Sequence, residues 1–174
     1  MRRKAKLMIL MGGLTALLLV ACGGLAMAAT SQNVNVSAPV ASTLSLDVSK
    51  ATIDFGGGNL DPETGSYADS LTATVRSNVN WQLQVEKNRD LTGVNPGNVL
   101  PSSQLTFTSS SGNSRVKEVQ SSATEFELIG SPVMVAQGTK GNNIGVTVNY
   151  ALNITWDDSP DTYTASHTYT VVAR

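Results

Sequence analysis

Residues 34–48 read VNVSAPVASTLSLDV, and their apolar side chains fall mainly on the even positions. Because successive side chains of a strand point to opposite faces, this alternation predicts extended chain with one apolar and one polar face. The stretch is longer than the usual strand of about 5 to 6 residues. It is therefore either two strands joined by a bend near Pro39, or an N-terminal arm followed by a first strand.

The same alternation recurs along the rest of the chain. Residues 71–75 and 79–85 predict two strands that are separated by a break at Ser77-Asn78, either as a hairpin or as one bent strand that crosses between sheets. Residues 146–156 and 163–171 predict a hairpin at the C-terminus. No stretch after the N-terminus has apolar residues at helical spacing over three turns. The pattern predicts an all-β, Ig-like antiparallel sandwich with an extended N-terminal strand.

The domain boundaries and the core follow from this pattern. The predicted arm covers residues 29–43, and the predicted sandwich covers residues 44–174. Large side chains on the apolar faces are expected to anchor the core, because one buried aromatic residue outweighs several smaller ones. The predicted anchors are Trp81, Leu83, Trp156 and Tyr163.

Residues 1–28 have the pattern of a secretory signal, with four basic residues before a short apolar run. The run is shorter than the roughly 20 residues of a membrane-spanning helix, which disfavours a transmembrane anchor. Small residues at Ala26 and Ala28 predict cleavage before Ala29. An alternative is a lipobox that ends at Cys22, which would make this cysteine a lipidated first residue. Both routes predict an exported protein.

Composition narrows the function classes. Cys22 is the only cysteine, so the mature chain has no intramolecular disulfide. Loss of the four basic residues of the signal leaves eight basic residues against 13 acidic ones, a net charge of −5. An acidic domain is a poor candidate for binding nucleic acid, and no nucleic-acid partner is predicted.

The sequence also offers little chemistry for an enzyme. His167 is the only histidine, no cysteine is available to it as a nucleophile, and no Gly-x-Ser-x-Gly motif is present. Two acidic clusters have the oxygen ligands that Ca²⁺ prefers, but ordinary turn chemistry is the favoured interpretation. These clusters are Asp157, Asp158 and Asp161, and Asp61, Glu63 and Asp69. We predict a non-enzymatic protein with no cofactor and no resident metal.

Short motifs resemble two groups of exported bacterial β-sandwich proteins. The segment Ile53-Asp54-Phe55-Gly56 after the alternating stretch, and the segment Pro160-Asp161-Thr162-Tyr163 before the last strand, resemble fimbrial subunits of the spore coat protein U type. The segment Trp81-Gln82-Leu83 is similar to the WxL surface domains of Gram-positive bacteria. Both resemblances imply an Ig-like architecture and a role at the cell surface.

Two functions fit these observations. In the first, the protein is a structural subunit of a pilus or fibre, and its arm adds as a strand to another copy or to another surface protein. The inserting face would be Val34, Val36, Ala38 and Val40. In the alternative, a secreted module binds carbohydrate or cell-wall polysaccharide through outward aromatic residues or through residues 88–103. The parity of the strands places most aromatic residues in the core.

Overall fold

The chain folds into antiparallel β-strands in the computed structural model, which describes residues 32–174. Residues 39–174 form one compact unit. The predicted signal peptide, the cleavage before Ala29 and the lipidation of Cys22 lie outside the described residues. The strands are β1 (Leu44–Val48), β2 (Ser66–Ser77), β3 (Trp81–Lys87), β4 (Leu91–Thr92), β5 (Val99–Leu100), β6 (Leu105–Ser110), β7 (Val116–Val119), β8 (Thr124–Glu125), β9 (Val133–Gly138), β10 (Gly141–Asn153) and β11 (His167–Ala173). A single 3₁₀ turn spans Ser102–Gln104 among these residues.

Two sheets enclose the core. Sheet A has the strand order β1-β2-β10-β6-β8, and sheet B has the order β11-β3-β9-β7, while β4 and β5 form a small separate hairpin. Inward residues of both sheets, such as Val75 and Val148 from sheet A and Leu83 and Val135 from sheet B, belong to one buried cluster. The predicted all-β antiparallel sandwich is therefore confirmed.

Alternation explains why β2 and β10 form the centre of sheet A. Ala73 and Val75 of β2 are fully buried, and their register partners Val146 and Ile144 on β10 are fully buried as well. The intervening Thr72 and Thr74 point to the other face of the sheet and are half-buried. The sequence break at Ser77-Asn78 is where the chain leaves sheet A and enters sheet B as β3.

The predicted C-terminal hairpin is wrong. β10 lies in sheet A and β11 lies in sheet B, so the two strands do not pair. β10 ends at Asn153, and a turn follows in which Asp158 accepts hydrogen bonds from the backbone N–H of Thr155 (2.7 Å) and from its hydroxyl (3.1 Å). The alternation of residues 146–156 continues past the end of the strand, and residues 154–166 carry the chain across to the second sheet.

The four predicted core anchors differ in how deeply they are buried. Trp81 and Leu83 are fully buried, and the Trp81 indole N–H donates to the carbonyl oxygen of Thr139 at 3.0 Å. Tyr163 is half-buried and packs against the core. The prediction for Trp156 is wrong, because its side chain is 78% exposed. It lies beyond the end of β10, where strand parity no longer applies.

Candidate assembly interface

The two sheets end side by side at strands β1 and β11. Each is the outermost described strand of its sheet on that side, and Cα atoms of the two strands come within 8 Å of each other. No ladder joins β1 to β11 among residues 32–174. We call this side of the sandwich, formed by the edges of β1 and β11, the open seam.

The hydrogen-bond pattern shows which backbone groups of β11 face the open seam. Asn88 donates to the carbonyl oxygen of Ser166, and Arg174 donates to that of Asn80, both at 2.9 Å. Bonded and non-bonded pairs alternate along an antiparallel ladder, so the even residues of β11 bond to β3. The N–H and C=O groups of the odd residues therefore point away from β3. These residues are His167, Tyr169, Val171 and Ala173.

The edge of β1 is arranged in the same way. Ser49 donates to the carbonyl oxygen of Thr72 at 2.9 Å, which places the odd residues of this segment in the ladder with β2. The backbone groups of Leu44, Leu46 and Val48 therefore face the open seam. On both edges, the residues with free backbone groups are also those with inward side chains, so a strand added here would gain hydrogen bonds and apolar contacts together.

The side chains behind the open seam are only partly covered. Leu44 and Leu46 of β1, and Tyr169 and Val171 of β11, pack against the buried cluster and remain half-buried. Val48 is 37% exposed. Half-covered apolar side chains behind two unpaired edges favour the addition of another extended segment.

The predicted donor residues are exposed. Val34, Val36 and Val40 have 83%, 89% and 83% of their surface exposed, and Ala38 is exposed as well. Residues 32–43 contain no strand, and β1 begins only at Leu44. Of the alternating stretch, only its last third is therefore paired within the described chain. The role of these four residues as a donor strand stays a prediction.

A polar cluster around the buried side chain of Tyr150 holds β11 against the core. The Tyr150 hydroxyl lies 3.1 Å from His167 Nδ1 and 2.7 Å from the Tyr169 hydroxyl. The ring centroids of His167 and Phe126 lie 4.0 Å apart. Burial, together with the positive charge of Lys87, lowers the pKa of His167 to about 4. Burial raises the pKa of Tyr150 to about 12 and also raises the pKa of Tyr169.

Lys87 and Asp90 lie beside this cluster and could in principle suggest an active site. They line one small cavity with Ser102 and His167. Lys87 Nζ is 2.6 Å from Asp90 Oδ1, and the bond from Lys87 lowers the pKa of Asp90. Ser102 also donates to Asp90, at 2.8 Å. The Asp90 carboxylate is thus bonded to its own neighbours, while His167 is bonded to Tyr150, and a histidine with so low a pKa is a weak base.

The acidic turns position loops. Asp161 accepts hydrogen bonds from the backbone of Val94 (3.1 Å) and Asn95 (2.9 Å) and from the side chain of Asn98 (2.9 Å). Partial burial opposes the change, but these bonds and that from Thr162 lower the pKa of Asp161 to about 2. Three or more potential metal-ligating side chains do not come together anywhere in residues 32–174.

Asp69 belongs to the other acidic cluster and anchors residues 50–54, which follow β1 in the chain. Its carboxylate pairs with Lys50 at 2.5 Å and accepts the backbone N–H of Asp54 at 2.9 Å. Asp61 accepts the backbone N–H of Glu63 at 2.9 Å, as an Asx turn does. Four of the six carboxylates in these clusters, those of Asp158, Asp161, Asp61 and Asp69, therefore anchor turns and loops.

Trp156 lies at the surface, although strand parity predicts a core position for it. It stands 78% exposed on the connection between β10 and β11, and Val94, on the hairpin tip that Asp161 holds to this connection, is 76% exposed. The Asp-Asp-Ser-Pro segment that follows Trp156 is a turn signal, and it could have indicated that the strand ends before this residue.

No helix within residues 32–174 is long and apolar enough to cross a membrane.

Comparison with known sequences assigns no family to the chain. The sequence matches no protein-family model, and the comparison with curated proteins gives no significant match.

Proposed function

We propose that this protein is a non-enzymatic, exported structural subunit of the bacterial cell surface, and that its copies assemble into a fibre or pilus by strand donation. The arm of one molecule (residues 29–43) would add to the β11 edge of the next. The observation that carries the proposal is the match between an unpaired edge with half-covered apolar side chains and an exposed segment with apolar residues on alternate positions.

The lengths of the two segments agree. The apolar stretch of the arm, residues 34–40, and β11 each have seven residues. At about 3.3 Å per residue, each spans about 23 Å as a strand. A donated arm would therefore cover the whole of β11 without leaving either of its ends unpaired.

The position of Pro39 favours antiparallel addition. In an antiparallel pair, residues directly opposite each other share a face, and every second such pair exchanges hydrogen bonds. The odd residues of β11 would then bond to Val34, Val36, Ala38 and Val40, and Pro39, which lacks an N–H group, would face away from the ladder. In a parallel pair, the outward residues of the arm would bond to β11 instead, and Pro39 would lose a bond.

Donation between copies has a direct consequence for the assembly. Each molecule would present one arm and one acceptor edge, so the contact is head-to-tail. Such a contact does not close on itself unless the rotation happens to form a ring, and it extends into a filament.

Matched charge substitutions in the arm test the proposal. Val36→Asp places a carboxylate among apolar side chains, whereas Ser37→Asp places it on the outward face of the same strand. We expect Val36→Asp to abolish oligomers in size-exclusion chromatography with light scattering and fibres in electron microscopy, while Ser37→Asp retains both. Equal assembly of the two variants, or a wild-type protein that stays monomeric at all concentrations, would contradict the proposal.

The exposure of Trp156 favours carbohydrate binding as a second candidate function. An exposed tryptophan offers an apolar face on which a sugar ring can stack. Its loop is held by the hydrogen bonds that Asp158 accepts from Thr155 and that Asp161 accepts from the neighbouring hairpin. In a pull-down on insoluble cell-wall glycan, Trp156→Ala should release the protein if this candidate is correct. Retention that is unchanged by Trp156→Ala, or no retention of the wild type, would exclude it.

A further inference from the structure

Asn78 clamps the segment that links the arm to β1. Its side-chain N–H donates to the carbonyl oxygen of Ala41 at 2.7 Å, and its side-chain oxygen accepts the backbone N–H of Thr43 at 2.8 Å. Its own backbone N–H also donates to the carbonyl oxygen of Thr43 at 3.3 Å. Asn78 thereby extends the ladder of β1 and β2 beyond the last residue of β2 and holds residues 41–43 in line with β1.

This clamp opposes a competing arrangement in which the arm covers its own seam. The arm could fold back on β1 as a hairpin, with residues 41–43 as a three-residue loop and Val40 opposite Leu44. That register would also place apolar residues of the arm opposite the inward residues of β1, with Val36 opposite Val48. The hairpin loop would have to reverse the chain at the residues that Asn78 holds extended, so the clamp and the hairpin exclude each other.

The other route within one molecule, addition to its own β11, has the wrong direction. Leu44 lies opposite Ser77, and Trp81, just after the β2–β3 turn, lies opposite Ala173. β1 and β11 therefore run antiparallel, and an arm that folds back beside β1 would run parallel to β11. This is the direction in which Pro39 loses a ladder bond.

We infer that Asn78 is a positioning residue that prevents the arm from covering its own seam and directs it to the β11 edge of a second copy of this chain. The inference rests on the proposed function. It predicts that loss of the Asn78 side chain shifts the protein from assembly between molecules to closure within one molecule. Two lost hydrogen bonds should raise the self-closed fraction about tenfold.

Introduced cysteines report the two states separately. The protein is expressed with its own N-terminal segment and purified as processed, with Cys22→Ser to remove the native thiol. A mixture of a Val36→Cys variant and a Val171→Cys variant can form a disulfide only between molecules. The double variant Val36→Cys/Val48→Cys forms a disulfide within one molecule only when the arm folds back, because a bridge needs Cα atoms about 4.4–6.8 Å apart.

Asn78→Ala is compared with Asn80→Ala. Asn80 lies in the same turn and its side chain is exposed, and within residues 32–174 its backbone carbonyl, not its side chain, accepts a hydrogen bond, from Arg174. We expect Asn78→Ala to raise the yield of the monomeric disulfide in the double variant about tenfold and to lower the intermolecular yield in the mixture. Asn80→Ala should change neither. Asn78→Asp keeps the acceptor for Thr43 but loses the donor to Ala41, and should give an intermediate yield.

The outcomes separate the inference from the proposed function. Equal monomeric yields for Asn78→Ala and Asn80→Ala, in a protein whose mixture still forms intermolecular disulfides, would overturn the role of Asn78 alone. A mixture that forms no intermolecular disulfide in any background would overturn the proposed function and the inference with it. Near-ultraviolet spectra of the buried Trp81 verify that each variant is folded.

Discussion

The edges of the two sheets meet on two sides of the sandwich, and within residues 32–174 only one of these sides has backbone hydrogen bonds that join the sheets. On the side opposite the open seam, Gln120 joins the two sheets: its carbonyl oxygen accepts the N–H of Ser109 in sheet A at 2.6 Å, and its N–H donates to the carbonyl oxygen of Val135 in sheet B at 3.0 Å. The buried Ser109 hydroxyl adds a bond to the carbonyl oxygen of Val135 at 2.5 Å. We call this side the closed seam.

The strands at the two seams differ as well. β7 and β8, at the closed seam, have four and two residues, and β7 carries Lys117 and Glu118. Short, charged edges are poor templates for another strand. β11, at the open seam, has seven residues without an acidic or basic side chain apart from His167. The contrast indicates that exposed edges are avoided on one side of this molecule and kept on the other, where an acceptor would need one.

The largest difference in assembly is expected between a variant with a negative charge at the open seam and one with a negative charge at the closed seam. Val171→Asp places a carboxylate behind the edge of β11, and Val119→Asp places one at the closed seam, where the native residue is likewise half-buried. We expect Val171→Asp to weaken assembly at least about 100-fold, because a donated arm would bury the charge without a partner. Val119→Asp should lower stability but leave assembly intact. Concentration-dependent light scattering measures both, and equal effects on assembly would remove the distinction between the seams.

A fall in pH should destabilise the fold at the open seam, because His167, the only histidine of the chain, lies there. The unfolded chain takes up a proton near pH 6.5, whereas His167 in the folded protein does so only near its pKa of about 4. Stability is therefore lost as the pH falls from about 6.5 to about 4, amounting to about 2 kcal/mol at pH 5. Urea unfolding at pH 7 and pH 5 measures the loss.

His167→Phe is the control for the effect of acid. It keeps a ring next to Phe126 and removes the titrating group, so its stability should change much less between the two pH values. A wild-type protein that is equally stable at pH 7 and pH 5 would show that His167 does not titrate as inferred.

Ser109→Ala tests the closed seam with a smaller expected effect. It removes a buried hydroxyl that donates to Val135 and accepts the N–H of Gln120 at 2.9 Å. The loss should lower the free energy of unfolding by about 1–3 kcal/mol. Ser45→Ala, on the exposed face of β1, should change it by less than about 0.5 kcal/mol. Similar values for the two variants would contradict the structural role of the closed seam.

The smallest effect is expected at the edge of β7. Replacement of Lys117 and Glu118 by threonine should change stability by less than about 0.5 kcal/mol, because both side chains are exposed. The same change removes the charges that discourage pairing, so the variant should aggregate faster during heating. Turbidity measurements compare it with the wild type, and an unchanged rate would show that the charges do not protect this edge.

Local alternation was sufficient to predict the sandwich, but not the partners of its strands. Leu71 to Val75 and Trp81 to Val85 could be identified as strands because period-2 patterns report which side of a strand is buried. The same pattern on β10 and β11 cannot tell a hairpin from a crossover, because that choice depends on which sheet the connecting residues 154–166 reach. The failure at Trp156 has the same origin, since the hydrogen bonds of Asp158 end the extended segment before it.

The features that define the candidate site depend on contacts between distant residues. Asn78 and Ala41 are 37 positions apart, and Gln120 meets Ser109 only after the two sheets have packed. Neither contact has a sequence motif. The sequence did identify residues 34–40 as an apolar face in need of cover, and their proposed destination rests on the free edge of β11 that the fold presents.

Hydrogen exchange of the β11 amides shows whether this edge is free in the monomer and covered by the arm in the assembly. In the monomer at low concentration, the amides of Thr168, Thr170 and Val172, which bond to β3, should exchange slowly, while those of Tyr169 and Val171 should exchange quickly. A synthetic peptide of residues 29–43 should then protect Tyr169 and Val171, and the same peptide with Val36→Asp should not. Amides of Tyr169 and Val171 that are already protected in the monomer, or that remain unprotected with excess peptide, would contradict strand addition at this edge.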